Sequence, residues 1–336
     1  MDYRNLSLTG PAVSRIALGA MTFGAETDED MARLMLDEFV AAGGTLVDTA
    51  DVYSDGTSEE WIGRWLRANP YRREQIVLAT KGRFAVSGQP GAGLSKKYLH
   101  VALDASLRRL DVDHVDLYQA HGPDNRTELS ELLEFFDEAV ASGKATHVGV
   151  SNFTGWQIAT LAAQARADTG PVIVAHQPQY SLLVREVEWE VMPAAIHHDV
   201  GAIVWGPQAA GWLTGKYRRD QPPPVGSRLG DDPDRGLEAW SRRATPHTWA
   251  VLETLRSVAE EAEVTPAQAA LAWVTERPGV RAAIVGARTV EQLRNSLAAA
   301  EVRLTGTQTA RLDAVSVPNT PDYPYRFAAE LAERTG

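Results

Sequence analysis

The chain has 336 residues, 44% of them hydrophobic, a formal net charge of −11 and no cysteine. That is enough apolar material for one large core or two ordinary ones, and the acidic balance argues against nucleic acid, whose phosphates need clustered Lys and Arg. No disulfide framework or thiolate site is possible, no apolar run approaches the roughly 18 residues of a membrane span, and Met1 to Ser14 lacks the basic-then-apolar order of a leader, so a cytoplasmic protein acting on small molecules is expected.

In chain order, Tyr3 to Ser14 alternates weakly and turns at Thr9-Gly10-Pro11, which predicts a hairpin. Arg15 to Gly19 then reads as a first strand, and Asp28 to Ala42 as a helix capped by Thr27 or Asp28 and stopped at Gly43-Gly44. Thr45 to Asp48 is a second short strand, followed by a helix from Ser58 in which Trp61, Ile62, Trp65 and Leu66 share helical spacing. Ile76 to Thr80 is a third strand, and Ser95 opens a helix to Arg109. The alternation continues with strands at 114–118, 147–150, 172–175 and 202–205, separated by helices at 127–142, 154–167 and 187–198. Residues 217–244, rich in Pro, Gly, Asp and Arg, read as a long loop with little regular structure. Thr245-Pro246 caps a helix to Glu263, and Thr265 with Gln268 forms a capping box for a helix to Glu276. Strand eight is 282–285, and the last helix of the repeat spans 289–300.

Eight strands each followed by a helix predict a (β/α)8 TIM barrel, with the hairpin capping its N-terminal end and 1–336 forming one domain. An open sheet binding a dinucleotide would want a glycine fingerprint after its first strand, and Gly91-Ala92-Gly93 is not one. A barrel builds its active site at the C-terminal ends of its strands. Those ends carry Asp48, with Tyr53 in the loop beyond it, Lys81, His121, Ser151-Asn152-Phe153, Gln177, Trp205-Gly206-Pro207 and Gly286-Ala287-Arg288. Each alone is better explained as a cap, a surface lysine or a core side chain; the coincidence points to a site.

With these residues in place, the sequence resembles the aldo-keto reductases, in particular the longer-chain branch of sugar, aldehyde and pyridoxal reductases and potassium-channel β subunits. The motifs are Asp48-Thr49-Ala50 with Tyr53, Gly56 and Ser58-Glu59, then Ala79-Thr80-Lys81, then Asp116 to His121, and the likeness runs from Ser14 to the tail around Tyr325. The resemblance implies Asp48, Tyr53, Lys81 and His121 as catalytic tetrad and NADPH/NADP+ as cofactor. It implies that Ser151, Asn152 and Gln177 hold the nicotinamide carboxamide and that Trp205 stacks on the ring. Leu213, Gly215 and Lys216 would cover the pyrophosphate, while Gly286, Arg288, Gln292 and Asn295 would take the 2′-phosphate and adenine. Gly206 stands where the branch usually has Ser, and Gln179 where it often has Glu.

The chemistry is consistent with this assignment. Carbonyl reduction needs a proton donor at oxygen; a phenol near pKa 10 donates better beside a cation, so Tyr53 is expected to be acidified by Lys81, itself held charged by Asp48, while His121 orients the carbonyl. A Schiff-base lysine would need a depressed pKa that Asp48 opposes, Gly149 to Phe153 lacks the second glycine of a nucleophile elbow, and His197-His198 is no metal site, so none is expected. The remaining alternative is an NADPH-loaded regulatory or redox-sensing subunit, against which the short segment before the first strand speaks. The expected partner is a small carbonyl compound, with Phe23, Phe84, Trp212, the 217–244 loop and the C-terminal segment shaping specificity; a homo-oligomer is possible and not legible.

Overall fold

Leu6 and Val13, the apolar residues on either side of the Thr9-Gly10-Pro11 turn, are fully buried, and this explains what the N-terminal hairpin is for. In the computed structural model, which describes residues 1–89, 91–167, 170–234 and 236–334, strands β1 (Tyr3–Asn5) and β2 (Ala12–Ser14) pair antiparallel. The hairpin presents both side chains to the interior of a closed barrel of eight parallel strands, whose lower rows are Ala17, Leu46, Ala79, Leu117, Ala175, Ile203 and Ala282. The fit is close: a Cβ at Gly201 would stand 2.0 Å from the Leu6 carbonyl oxygen.

The barrel strands are β3 (Ile16–Gly19), β4 (Leu46–Asp48), β5 (Val77–Gly82), β6 (Val115–Ala120), β7 (Ala145–Ser151), β8 (Ile173–Gln177), β9 (Gly201–Val204) and β10 (Val280–Val285). They follow sequence order around the ring, and β10 closes on both β3 and β9. The (β/α)8 architecture expected from the alternation is the one observed. Because strand side chains alternate, Ile16, Leu18, Val47, Leu78, Val148, Val150, Val204 and Val285 face the other way and pack with the helices in a second, larger apolar body.

Most helix signals hold. Asp28 caps Glu29–Ala41, Ser95 caps Lys96–Leu110, Thr245 caps Pro246–Glu261, and Thr265 with Gln268 completes the capping box of Pro266–Thr275. Three expectations need correction. The helix expected from Ser58 starts at Thr57 after a left-handed Gly56, and the Ser58 hydroxyl instead bonds the Ala20 carbonyl at 2.9 Å. Thr127 caps nothing; it bonds Asp124, and the helix runs Leu129–Ala141. The helix expected over 187–198 is broken into a short 3-10 turn at Glu186–Glu188 and a helix at Val191–His197. Pro193 is the reason, since a proline is tolerated only in a helix's first turn.

The 217–244 stretch is more ordered than its composition indicates, with short helices at Arg228–Asp231 and Trp240–Arg243; residue 235 lies outside the described residues. Trp240 stacks on Trp212 at 4.8 Å, and the Trp212 indole N–H donates to the Glu238 carbonyl at 3.0 Å. Beyond the repeat, Thr305 and Gln308 form a further capping box for Gly306–Val315. No helix among the described residues is long and apolar enough to cross a membrane.

Candidate active site

Strand parity places the site. Continuing the inward rows of β4, β5, β6, β7 and β8 toward their C-terminal ends gives Asp48, Lys81, Gln119, Ser151 and Gln177, and these side chains meet at the barrel mouth. Lys81 and Gln177 lie within their strands, one and two residues further along than the sequence segmentation implied.

At the centre, Lys81 is fully buried, and its ammonium donates to Asp48 Oδ2 at 2.7 Å, to the Thr49 carbonyl at 2.8 Å and to the Tyr53 hydroxyl at 3.3 Å. Burial by itself would strip its proton, but Asp48 and Tyr53 together outweigh that and hold Lys81 above the ordinary lysine range. The expected acidification of Tyr53 is not what the protein shows. Burial, the largest influence, and the carboxylates raise the phenol, and Lys81 only reduces the rise. Tyr53 is therefore fully protonated at neutral pH. It is carried on a strained turn, since Ser54, Asp55 and Gly56 all have positive φ, at 48°, 56° and 93°. The turn is tied down by Ser54 Oγ to the Phe23 carbonyl at 2.7 Å and by Asp55 accepting from the Ser87 N–H at 2.8 Å.

The His121 ring packs edge-on against Tyr53 and Phe84, with centroids 5.7 and 5.0 Å away, and its Nδ1 has no partner among the described residues. Burial, then the charges of Lys81 and Arg83, push its pKa down to about 2. The imidazole is neutral throughout the working range. Nitrogen-15 spectra should accordingly show no His121 titration between about pH 4 and pH 9; a midpoint near the ordinary value of about 6.5 would contradict this.

Ser151, Asn152, Gln177 and Trp205 form one network with this centre. Asn152, at φ 61°, donates to the His121 carbonyl and to Ser151 Oγ, both at 3.0 Å, and accepts from the Trp205 indole N–H at 3.0 Å. Ser151 Oγ donates to the Gln177 carbonyl at 2.9 Å. The Gln177 amide, however, points at Asp48 Oδ1, 2.8 Å away, so it braces the carboxylate that pairs with Lys81.

Of the residues expected around pyrophosphate and adenine, Lys216 and Arg288 come together with Arg228. Lys216 stays exposed, yet partial burial of its ammonium and then Arg288 and Arg228 hold it below the usual lysine range. Arg288 bonds Asp231 and the Gly226 carbonyl, both at 3.2 Å, and lies 3.7 Å from Glu26. The Leu213 side chain is core, and Gly215 is a left-handed C-cap whose Cβ would press on Pro266. A Cβ at Gly286 would meet nothing within 4 Å, leaving open space at the end of β10. Gln292 accepts from the Arg288 N–H at 2.9 Å, and Asn295 is bonded to Thr265 and Gln268. Phe23 and Trp212, expected to shape specificity, are fully buried; only Phe84 presents surface at the mouth. Among the described residues no cluster of His, Asp and Glu could hold a metal.

Residues 15–317 match the model of the aldo/keto reductase family. The chain belongs to that family. It is 38% identical over 90% of its length, and 92% of the relative's, to the uncharacterized oxidoreductase YrpG of Bacillus subtilis. It is 34% identical to a probable voltage-gated potassium channel subunit beta of Arabidopsis thaliana, again over 90% and 92% of the two chains. It is also 28% identical to the versiconal hemiacetal acetate reductase of Aspergillus parasiticus, over 95% and 98%. An aldo/keto reductase is an oxidoreductase, and a carbonyl-reducing role accords with these relatives.

The sequence reading missed several residues of this aldo/keto reductase site. Gln119 donates to Asp48 Oδ1 at 3.4 Å, and its inward parity on β6 was the available signal. Gln179, by contrast, was singled out in the sequence, and it bonds Glu238 at 2.5 Å; with Glu at 179 two carboxylates would face each other there. Asp51 and Arg109, which gather near Tyr53 with Glu59 of the signature motif, look in sequence like ordinary loop and helix charges.

Proposed function

We propose that the chain is an NADPH-dependent reductase of aldehydes or ketones, acting as one cytoplasmic barrel domain with Tyr53 as general acid. The observation that carries this reading is the buried line Asp48, Lys81, Tyr53 ending beside the His121 ring at the mouth. The residues present fit the cofactor: Lys216, Arg228 and Arg288 crowd positive charge that an anion would relieve, and Gly286 leaves room beside them. When bound, NADPH supplies hydride to the carbonyl carbon. Asp48 keeps the Lys81 ammonium charged in a place where burial alone would neutralise it. Tyr53 gives its proton to the carbonyl oxygen, and Lys81 stabilises the phenolate left behind. Neutral His121 hydrogen-bonds the same oxygen and sets its direction. Ser151, Asn152 and Trp205 would hold the nicotinamide end, with Gln177 shared between that task and Asp48. Leu213 and Gly215 would cover the pyrophosphate through backbone alone, and Gln292 and Asn295 would reach adenine only by giving up their present partners.

Arg288 would read the 2′-phosphate, an anion that NADH lacks. A charge-assisted contact is worth about 1.5 to 3 kcal/mol. Since Asp231 and Gly226 already occupy the guanidinium, the difference on binding falls at the lower end. Arg288→Ala should weaken NADPH roughly tenfold in a fluorescence titration and leave NADH nearly unchanged. Equal losses for both would remove Arg288 as the reader.

The likeness to potassium channel β subunits supports a second reading, an NADPH-binding regulatory or redox-sensing subunit with little turnover. Following NADPH oxidation across aldehydes, ketosugars and pyridoxal separates the two. Turnover of any of them supports the enzyme; tight NADPH binding with no carbonyl reduced supports the subunit.

A further inference from the structure

Asp51 sits inside the turn that presents Tyr53, fully buried, with its N–H bonded to the Lys81 carbonyl at 3.0 Å. Neither carboxyl oxygen has a hydrogen-bond partner among the described residues. The groups facing it are Tyr53 on its own turn, Lys81 on β5, Glu59 on the helix Thr57–Ala68, Tyr98 and Arg109 on the helix Lys96–Leu110, and Tyr118 on β6. The cations among them are already engaged. Lys81 is bound to Asp48, and Arg109 to Glu59 at 2.7 Å, whose other oxygen accepts from Thr80 at 2.5 Å. Three carboxyls, Asp48, Asp51 and Glu59, therefore share two cations, and Asp51 is the one left over. The Val52 backbone N–H lies near enough to favour the anion a little, but a buried carboxylate without a cation of its own is costly, so the neutral acid is favoured. The Tyr118 hydroxyl, buried and without a partner among the described residues, adds nothing that stabilises the anion.

We propose that Asp51 is a positioning residue that sets the acidity of Tyr53: while it keeps its proton the phenol donates well, and once that proton is lost donation is hindered. The proposal rests on Tyr53 being the general acid. Burial and then Glu59 push Asp51 up to about 7, against the opposing pull of Arg109, the Val52 N–H and Lys81, so the change falls within the working range. The sign follows from charge. An ionised Asp51 disfavours the phenolate and raises Tyr53 further, which makes it a poorer donor.

The test compares wild type with Asp51→Asn, which keeps the shape of the neutral acid and cannot ionise. At saturating NADPH and an activated aldehyde, wild-type kcat should fall roughly three- to tenfold as pH rises through about 7, a Brønsted response to a weaker acid, while Asp51→Asn stays level. An active wild type whose fall persists unchanged in Asp51→Asn overturns this proposal alone. A wild type that reduces no carbonyl at any pH overturns the reductase reading, and this proposal with it.

Stability supplies a readout independent of turnover. Unfolded Asp51 releases its proton near pH 4 and the native residue only near 7, so a raised acid loses its stabilising contribution as pH climbs through that window. The Tm advantage of Asp51→Asn over wild type should grow from about pH 4 to pH 7 and level off above; a pH-independent difference would count against the proposal. Should Asp51→Asn fail to fold, carbon-13 spectra of wild type labelled at aspartate carboxyls must show one resonance titrating near 7, and its absence overturns the assignment.

Discussion

Tyr53→Phe is expected to lose roughly 10² to 10⁴ in turnover, the usual contribution of a positioned general acid, while binding NADPH as wild type does. Phe keeps the ring, so its packing on His121 and under the Lys81 ammonium, 4.9 Å from the ring centre, survives and only the hydroxyl is lost. Lys81→Met should lose activity too, because Lys81 is the one group among the leading influences on Tyr53 that favours its ionised form. If the two act as a unit, the double variant should be little worse than the poorer single one. Steady-state reduction of an activated aldehyde by all four proteins, beside NADPH titration, measures this. Full activity in Tyr53→Phe would remove Tyr53 as the acid.

The second large effect is on stability. Asp48→Ala should destabilise the fold by about 3 to 5 kcal/mol, since it leaves the fully buried Lys81 ammonium without its 2.7 Å partner. It also leaves the amides of Gln177 and Gln119 without the oxygen both address. Adding Lys81→Met removes the stranded charge, so the double variant should recover most of the loss; urea denaturation of wild type, single and double variants measures it. A single variant as stable as wild type would show that the pair is not stabilised as its geometry implies.

Local chemistry made much of this molecule readable. The capping residues Asp28, Ser95, Thr245 and Thr265 act through neighbours three positions away, so sequence alone locates them. Asp48, Lys81, Ser151 and Gln177 were legible because strand ends are, and period-two alternation then fixes which side chains face inward. What was not legible depends on distant approach. Arg288 looks unattached until residues 226–231 fold back onto it, and the ordering of that loop rests on Trp240 finding Trp212. The burial of Asp51 and Glu59 was not legible, because it is decided by the helix Lys96–Leu110, which brings Arg109 to Glu59 from fifty positions away. The break before Pro193 was legible in principle, since proline fits only a helix's first turn.

The hairpin makes the barrel a cup with one rim. Leu6 and Val13 close its base, seated against a glycine at 201 that leaves no room for even a methyl group, while everything proposed to meet a ligand stands at the opposite end. Changes at well-separated positions without shared partners add almost independently. Residues 3–14 should thus accept stabilising changes, provided that Gly201 is kept, without altering the groups at the rim. Changes intended to admit other carbonyl compounds belong at the rim, where Phe84 already presents its ring.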